Sequence, residues 1–131
     1  MTIVVGYVPT KEGRAALARA VDEAKARSRR LVVVNSVRTH RDADEAVAVE
    51  AEAELRAVVD DLTAAGTEVE VRALARGSEP AEGLIDAATE SGADLIVIGL
   101  RRRTPVGKLI LGSNAQRILL DAPCAVLAVK G

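Results

Sequence analysis

The chain has 131 residues, a net charge of −1 and a single aromatic residue, Tyr7, which excludes the basic excess and stacking platforms on which nucleic-acid binders rely. Its one cysteine, Cys124, excludes an intrachain disulfide, and no apolar run approaches the roughly 20 residues that span a bilayer. With 49% hydrophobic and 28% charged residues, the composition is that of one globular domain over residues 1–131, soluble and expected in the cytoplasm, with a core of Val, Leu, Ile and Ala.

Thr2–Gly6 (TIVVG) is a short β-branched run that reads as a buried strand and is too short for a signal-peptide core. Leu17, Ala20, Val21 and Ala24 recur at helical spacing, with Thr10 as the N-cap. Leu31–Val37 is the second strand, and the polar stretch Thr39–Asp44 reads as a loop. Leu55, Val58, Val59 and Leu62 mark a second amphipathic helix that closes near Gly66. Glu68–Leu74 alternates with period two, which predicts a half-exposed edge strand.

Gly77-Ser78-Glu79-Pro80 opens a third helix with Ala81, Leu84, Ile85 and Ala88 facing inward, and Gly92 ends it. Asp94–Ile98 (DLIVI) is a second buried strand. Ser113-Asn114-Ala115-Gln116 fits a capping box for a fourth helix that turns Ala115, Ile118 and Leu119 inward and stops at Ala122-Pro123. Ala125–Val129 is the last strand. Strict alternation of strands and helices predicts a three-layer α/β/α sandwich around a parallel five-stranded sheet. The two most apolar strands, the first and fourth, belong at the centre, which gives the order 3-2-1-4-5 and a ligand crevice between them.

Two segments leave that switch point, Gly6–Thr10 (GYVPT) and Gly99–Ser113 (GLRRRTPVGKLILGS). The second has the parts that hold an anion. Gly99, Gly107 and Gly112 leave backbone N–H groups open to an oxyanion, and Ser113 starts a helix whose dipole favours negative charge. Arg101, Arg102, Arg103, Lys108 and Arg117 add positive charge, and no Asp or Glu occurs from Leu95 to Leu120. Each part also has a plainer reading: Ser113 as a cap alone, the arginine triplet as a solvated surface run, Gly107 as a turn residue.

The opening IVVG, the middle GSEPAEGLIDAATESGADLIVIG and the end LILGSNAQRILLDAPCAVLAVK resemble the universal stress protein family over the whole chain. The resemblance implies a Rossmann-like fold and a homodimer through the C-terminal strand 125–129. It also implies an ATP site in one branch of the family, built on Gly, two residues, Gly, nine residues, then Gly-Ser or Gly-Thr, with an acid at the end of the first strand. Gly99, Gly112 and Ser113 match that motif; Arg102 replaces its second glycine and Val8 stands at the acidic position. The nucleotide contacts so implied are Val8 and Pro9 after the first strand, Val34 in the second, Gly99, Arg101, Arg102 and Gly107 in the loop, and Gly112, Ser113 and Asn114 at the helix start.

No catalytic constellation accompanies them. Ser113 has no histidine partner, the lone His40 lies in a polar stretch, Cys124 reads as a small buried residue, and no metal-ligand cluster occurs. Tyr7 is left with two roles, packing or stacking on a base. The sequence predicts a non-catalytic stress-response protein that binds an adenine nucleotide, ATP, with the part of Mg²⁺ open. The alternative is a dimeric interaction module of the same fold that binds no nucleotide and whose basic loop contacts a protein partner or another anion. Neither reading involves nucleic acid or a membrane.

Overall fold

The computed structural model describes residues 1–36, 42–74, 77–101 and 112–131. Five strands alternate with four helices: β1 (Thr2–Tyr7), α1 (Lys11–Arg27), β2 (Arg30–Asn35), α2 (Asp42–Ala64), β3 (Val69–Ala73), α3 (Pro80–Ser91), β4 (Ala93–Leu100), α4 (Ser113–Asp121) and β5 (Ala125–Lys130). The strands form one sheet in the order β3-β2-β1-β4-β5, every neighbouring pair parallel, as the apolar character of β1 and β4 predicts. The register sets Val4 between Val32 and Ile96, and Val5 between Val33 and Val97.

Period-two alternation divides these residues between two cores. Ile3, Val5, Tyr7, Leu31, Val33 and Val97 pack with α1 and α2. Val4, Val32, Val34, Ile96 and Ile98 pack with α3 and α4 on the other face. The inner side of α1 is mostly small, with Gly13, Ala16, Ala20 and Ala24 buried beside Leu17. Helix and sheet therefore approach closely. Strand β3 is half-exposed at the sheet edge, with Val71 turned outward, as its alternation predicts.

The caps explain most boundaries. The Thr10 side chain accepts a hydrogen bond from the Gly13 N–H at 3.1 Å, so the predicted N-cap of α1 is formed. Pro80 occupies the first turn of α3, and Gly92 ends that helix at φ 63°, a left-handed conformation that suits a residue without a β-carbon. Gly66, at φ 80°, follows α2 in the same way.

Four expectations change. Residues 42–44 belong to α2, not to a loop, because the acid-rich DADE suits a helix N-terminus; residues 39–41 of the expected loop lie outside the described residues. In α3 the buried stripe runs through Ala81, Leu84, Ala87 and Ala88, and Ile85 is only half-buried. The cap of α4 is Gly112, with no side-chain capping bond, so Ser113 is the first helical residue and no capping box forms. The Gln116 N–H instead reaches the Gly112 carbonyl at 3.0 Å. Finally, α4 buries Ile118, while Leu119 and Leu120 are 44% and 83% exposed. The inward stripe follows the three-residue step from Ala115 to Ile118, which turns Leu119 off the core.

Candidate functional site

After β1 the chain crosses to α1 on one face of the sheet; after β4 it reaches α4 on the other. The divergence opens a cleft of about 200 Å³ above the carboxyl ends of the two strands, where the topology predicts it. Its base is apolar and buried, formed by Leu84, Ile98 and Ile118. Its rim carries Val8, Glu12, Ser36, Pro80 and Asn114, all partly exposed. The first turns of α1, α3 and α4 all reach this cleft, through Glu12 and Gly13, Pro80, and Asn114 and Ala115 respectively. Three helix N-termini directed at one opening make a favourable field for an anion.

Glycines bring these elements together. A β-carbon on Gly6 would lie 2.8 Å from a methyl of Leu84, one on Gly13 would collide with the Val8 carbonyl, and one on Gly99 would collide with the Glu12 carbonyl. Gly99 therefore has a packing reason to be glycine, separate from any approach of its N–H to a ligand. Across the cleft, the Asn114 side-chain oxygen accepts from the Ala81 N–H at 3.4 Å and ties α4 to the start of α3. That start has no side-chain cap of its own.

Of the residues singled out from the sequence, Val8, Gly99 and Asn114 line the cleft. Gly112 and Ser113 stand exposed at the start of α4, next to Asn114 in the chain. Pro9 is half-exposed between Val8 and the Thr10 cap, and Arg101 is exposed just beyond β4. Val34 is 2% exposed and packs in the α3–α4 core with Leu84, Ile98 and Ile118, beneath the lining and not part of it. Arg102 and Gly107, with Arg103, Lys108 and His40, lie outside the described residues. Arg117 does not contribute an unopposed charge: it pairs with Glu82 at 3.0 Å and with Asp121 at 3.8 Å.

Tyr7 is fully buried on the α1–α2 face, so it is no platform for a base in the cleft. Its hydroxyl donates to the Glu54 carboxylate, which also receives Arg14 at 3.0 Å and 3.3 Å. Arg14, then Tyr7, hold Glu54 below the usual carboxylate range. Burial, then the bond to Glu54, push the Tyr7 phenol above its ordinary value. Burial, with Asp94 nearby, likewise raises the half-buried Cys124 thiol, which leaves it less reactive. Among the described residues no group of three His, Cys, Asp or Glu is placed to hold a metal ion, and no helix is long and apolar enough to cross a membrane.

Glu12, Gly13, Ser36, Pro80 and Leu84 of the cleft were not marked by sequence reasoning. The available signal was positional and partial: Glu12, Gly13 and Pro80 lie in first turns of helices that start at the carboxyl end of the sheet, whereas Ser36 and Leu84 carry no such mark.

A model of the universal stress protein family matches residues 1–130. A universal stress protein of Mycolicibacterium smegmatis is 43% identical over 128 residues, covering 98% of this chain and 96% of its relative. Among solved structures, a universal stress protein from Archaeoglobus fulgidus is 36% identical, with a TM-score of 0.77 over 99% of this chain and 98% of that one. A universal stress protein from the same organism, solved in complex with dAMP, is 30% identical, with a TM-score of 0.70 over 99% and 98% of the two chains.

Proposed function

The chain belongs to the universal stress protein family, and from that premise we propose that it is a non-catalytic, cytoplasmic binder of an adenine nucleotide, ATP, that works as a homodimer through β5. The observation that carries the reading is the cleft itself, with an apolar base under three converging helix N-termini. At about 200 Å³ it is smaller than the roughly 300–1,000 Å³ of common small-molecule sites. It suits the base and sugar of a nucleotide, with the phosphates running out over Gly112 and Ser113 at the start of α4. The relative in complex with dAMP supports the choice of an adenine nucleotide.

One observation favours a second reading, an interaction module that binds no nucleotide: Val8 brings an apolar side chain to the cleft rim where the family's ATP branch has an acid. Calorimetric titration with ATP, ADP, AMP and inorganic phosphate, with and without Mg²⁺, separates the two. Micromolar ATP binding that weakens as phosphates are removed supports the nucleotide reading. No binding up to millimolar ATP, unrelieved in a Val8→Asp, Arg102→Gly variant, supports the interaction module.

A further inference from the structure

Glu12 is locked in place by two residues that have no side chain. Its carbonyl rests over Gly99, and a β-carbon on Gly131 would lie 2.8 Å from its nitrogen and α-carbon. From that position it contributes to the cleft wall, half-buried, and it is the acid among the described residues that line the cleft. Among those residues no ion pair occupies its carboxylate. It lines the same cleft as the buried Ile98 and Ile118 and as Asn114 and Ala115 in the first turn of α4.

A carboxylate accepts hydrogen bonds and donates none. Close to phosphates it repels; close to hydroxyls it makes charge-assisted bonds about twice as strong as neutral ones. In a nucleotide whose base fills the apolar floor and whose phosphates lie at the α4 N-terminus, the sugar falls between, at the height of Glu12. A ribose offers two adjacent hydroxyls to the two oxygens of one carboxylate. We infer that Glu12 is the acceptor for the ribose hydroxyls and makes the cleft selective for ribonucleotides; this rests on the adenine-nucleotide reading. An acid in a first turn also favours the helix dipole, so the test has to read the ligand hydroxyl and not stability alone.

The experiment is a cycle of protein and ligand changes. Wild type, Glu12→Ala and Glu12→Gln are titrated calorimetrically with ATP, 2′-deoxy-ATP and 3′-deoxy-ATP, and each variant is checked by thermal melting. Glu12→Ala should weaken ATP binding about 10- to 100-fold, with Gln in between. The loss should largely vanish with at least one deoxy ligand, because the partner hydroxyl is already gone. Wild type alone should prefer ATP to that deoxy ligand by about the same factor, a result that needs no variant to fold. Equal losses with all three ligands, or no loss in Glu12→Ala, overturn the assignment and leave nucleotide binding standing. A wild type that binds none of the three overturns the nucleotide reading and this inference with it.

Discussion

The hydroxyl of Tyr7, at the end of β1, donates to the carboxylate of Glu54, 47 residues further on in α2. Arg14 of α1 closes on the same carboxylate, so one acid joins a central strand to both helices on that face. The Tyr7 ring is fully buried while the Glu54 side chain is 32% exposed and that of Arg14 47%. The polar end of an otherwise apolar side chain is thereby satisfied at the margin of the core.

Tyr7→Phe should cost about 1–2 kcal/mol of stability, toward the low end for hydrogen bonds to charged groups because Glu54 keeps Arg14 and water. It should leave nucleotide affinity unchanged, since the ring lies on the opposite face from the cleft. Urea denaturation and ATP titration of the same variant check both halves. A drop in ATP affinity without a drop in stability would contradict the placement of Tyr7.

Tyr7 is the only tyrosine, so phenolate absorbance reports it directly. Its folded value is raised above the ordinary 10.0. The native state then holds the phenolic proton more tightly than the unfolded state, and stability present below pH 10 is lost as pH rises above it. Absorbance should rise near pH 10 in denaturant but stay flat there in the native protein, rising only with alkaline unfolding. A native transition centred at pH 10 would show the hydroxyl to be solvated.

At the acid end the sign reverses. Glu54 is lowered from 4.5 by Arg14 first and Tyr7 second. The unfolded chain binds its proton more readily, so the contribution is complete above about pH 4.5 and is lost as pH falls through the lower folded value. Glu54→Gln should be less stable than wild type at pH 7, and the gap should narrow as pH falls below 4.5. Denaturation midpoints at several pH values measure it; a constant gap would mean that charge plays no part.

Strand order was legible because Val4 and Ile96 sit in the two most apolar runs, which demand burial on both faces. The Thr10 cap was legible because its signal is local. The cap of α4 was not, because Gly112 and Ser113 are both good N-cap residues and only the backbone geometry chooses between them. The cleft was legible in position, from the topology, but not in its lining. Glu12 and Pro80 had only their place in the first turns of α1 and α3 to mark them, and Leu84 reaches the cleft through packing that no spacing along the chain records. Tyr7 and Glu54 meet across 47 residues for the same reason.

Gly99→Ala tests whether that glycine serves packing as well as any ligand. The added β-carbon would meet the Glu12 carbonyl, a backbone atom that cannot rotate away. Forcing α1 off the end of β4 should cost about 1–3 kcal/mol. Ala at Gly112, where a β-carbon has open space and φ is −66°, should cost less, about 0.5–1 kcal/mol, from the poorer cap alone. Thermal or urea unfolding of the two variants gives the comparison. Equal stabilities would place the need for glycine at Gly99 on the ligand side.

The last prediction concerns β5. Its one neighbour among the described residues is β4, and it carries Val126, Leu127 and Val129 beside the exposed Ala125 and Ala128. An apolar strand with a free edge invites pairing with a second copy. A two-fold axis would set β5 antiparallel to its partner, so each exposed alanine would approach the other subunit. The wild type should sediment as a dimer. Ala125→Glu together with Ala128→Glu brings two carboxylates from each subunit into the same contact, where like charges repel, so the dimer should weaken severalfold or more. Both positions are exposed in the single chain, so far-UV circular dichroism of the variant should match wild type. A wild type that sediments as a monomer, or a variant dimer of undiminished strength, would rule out β5 as the contact.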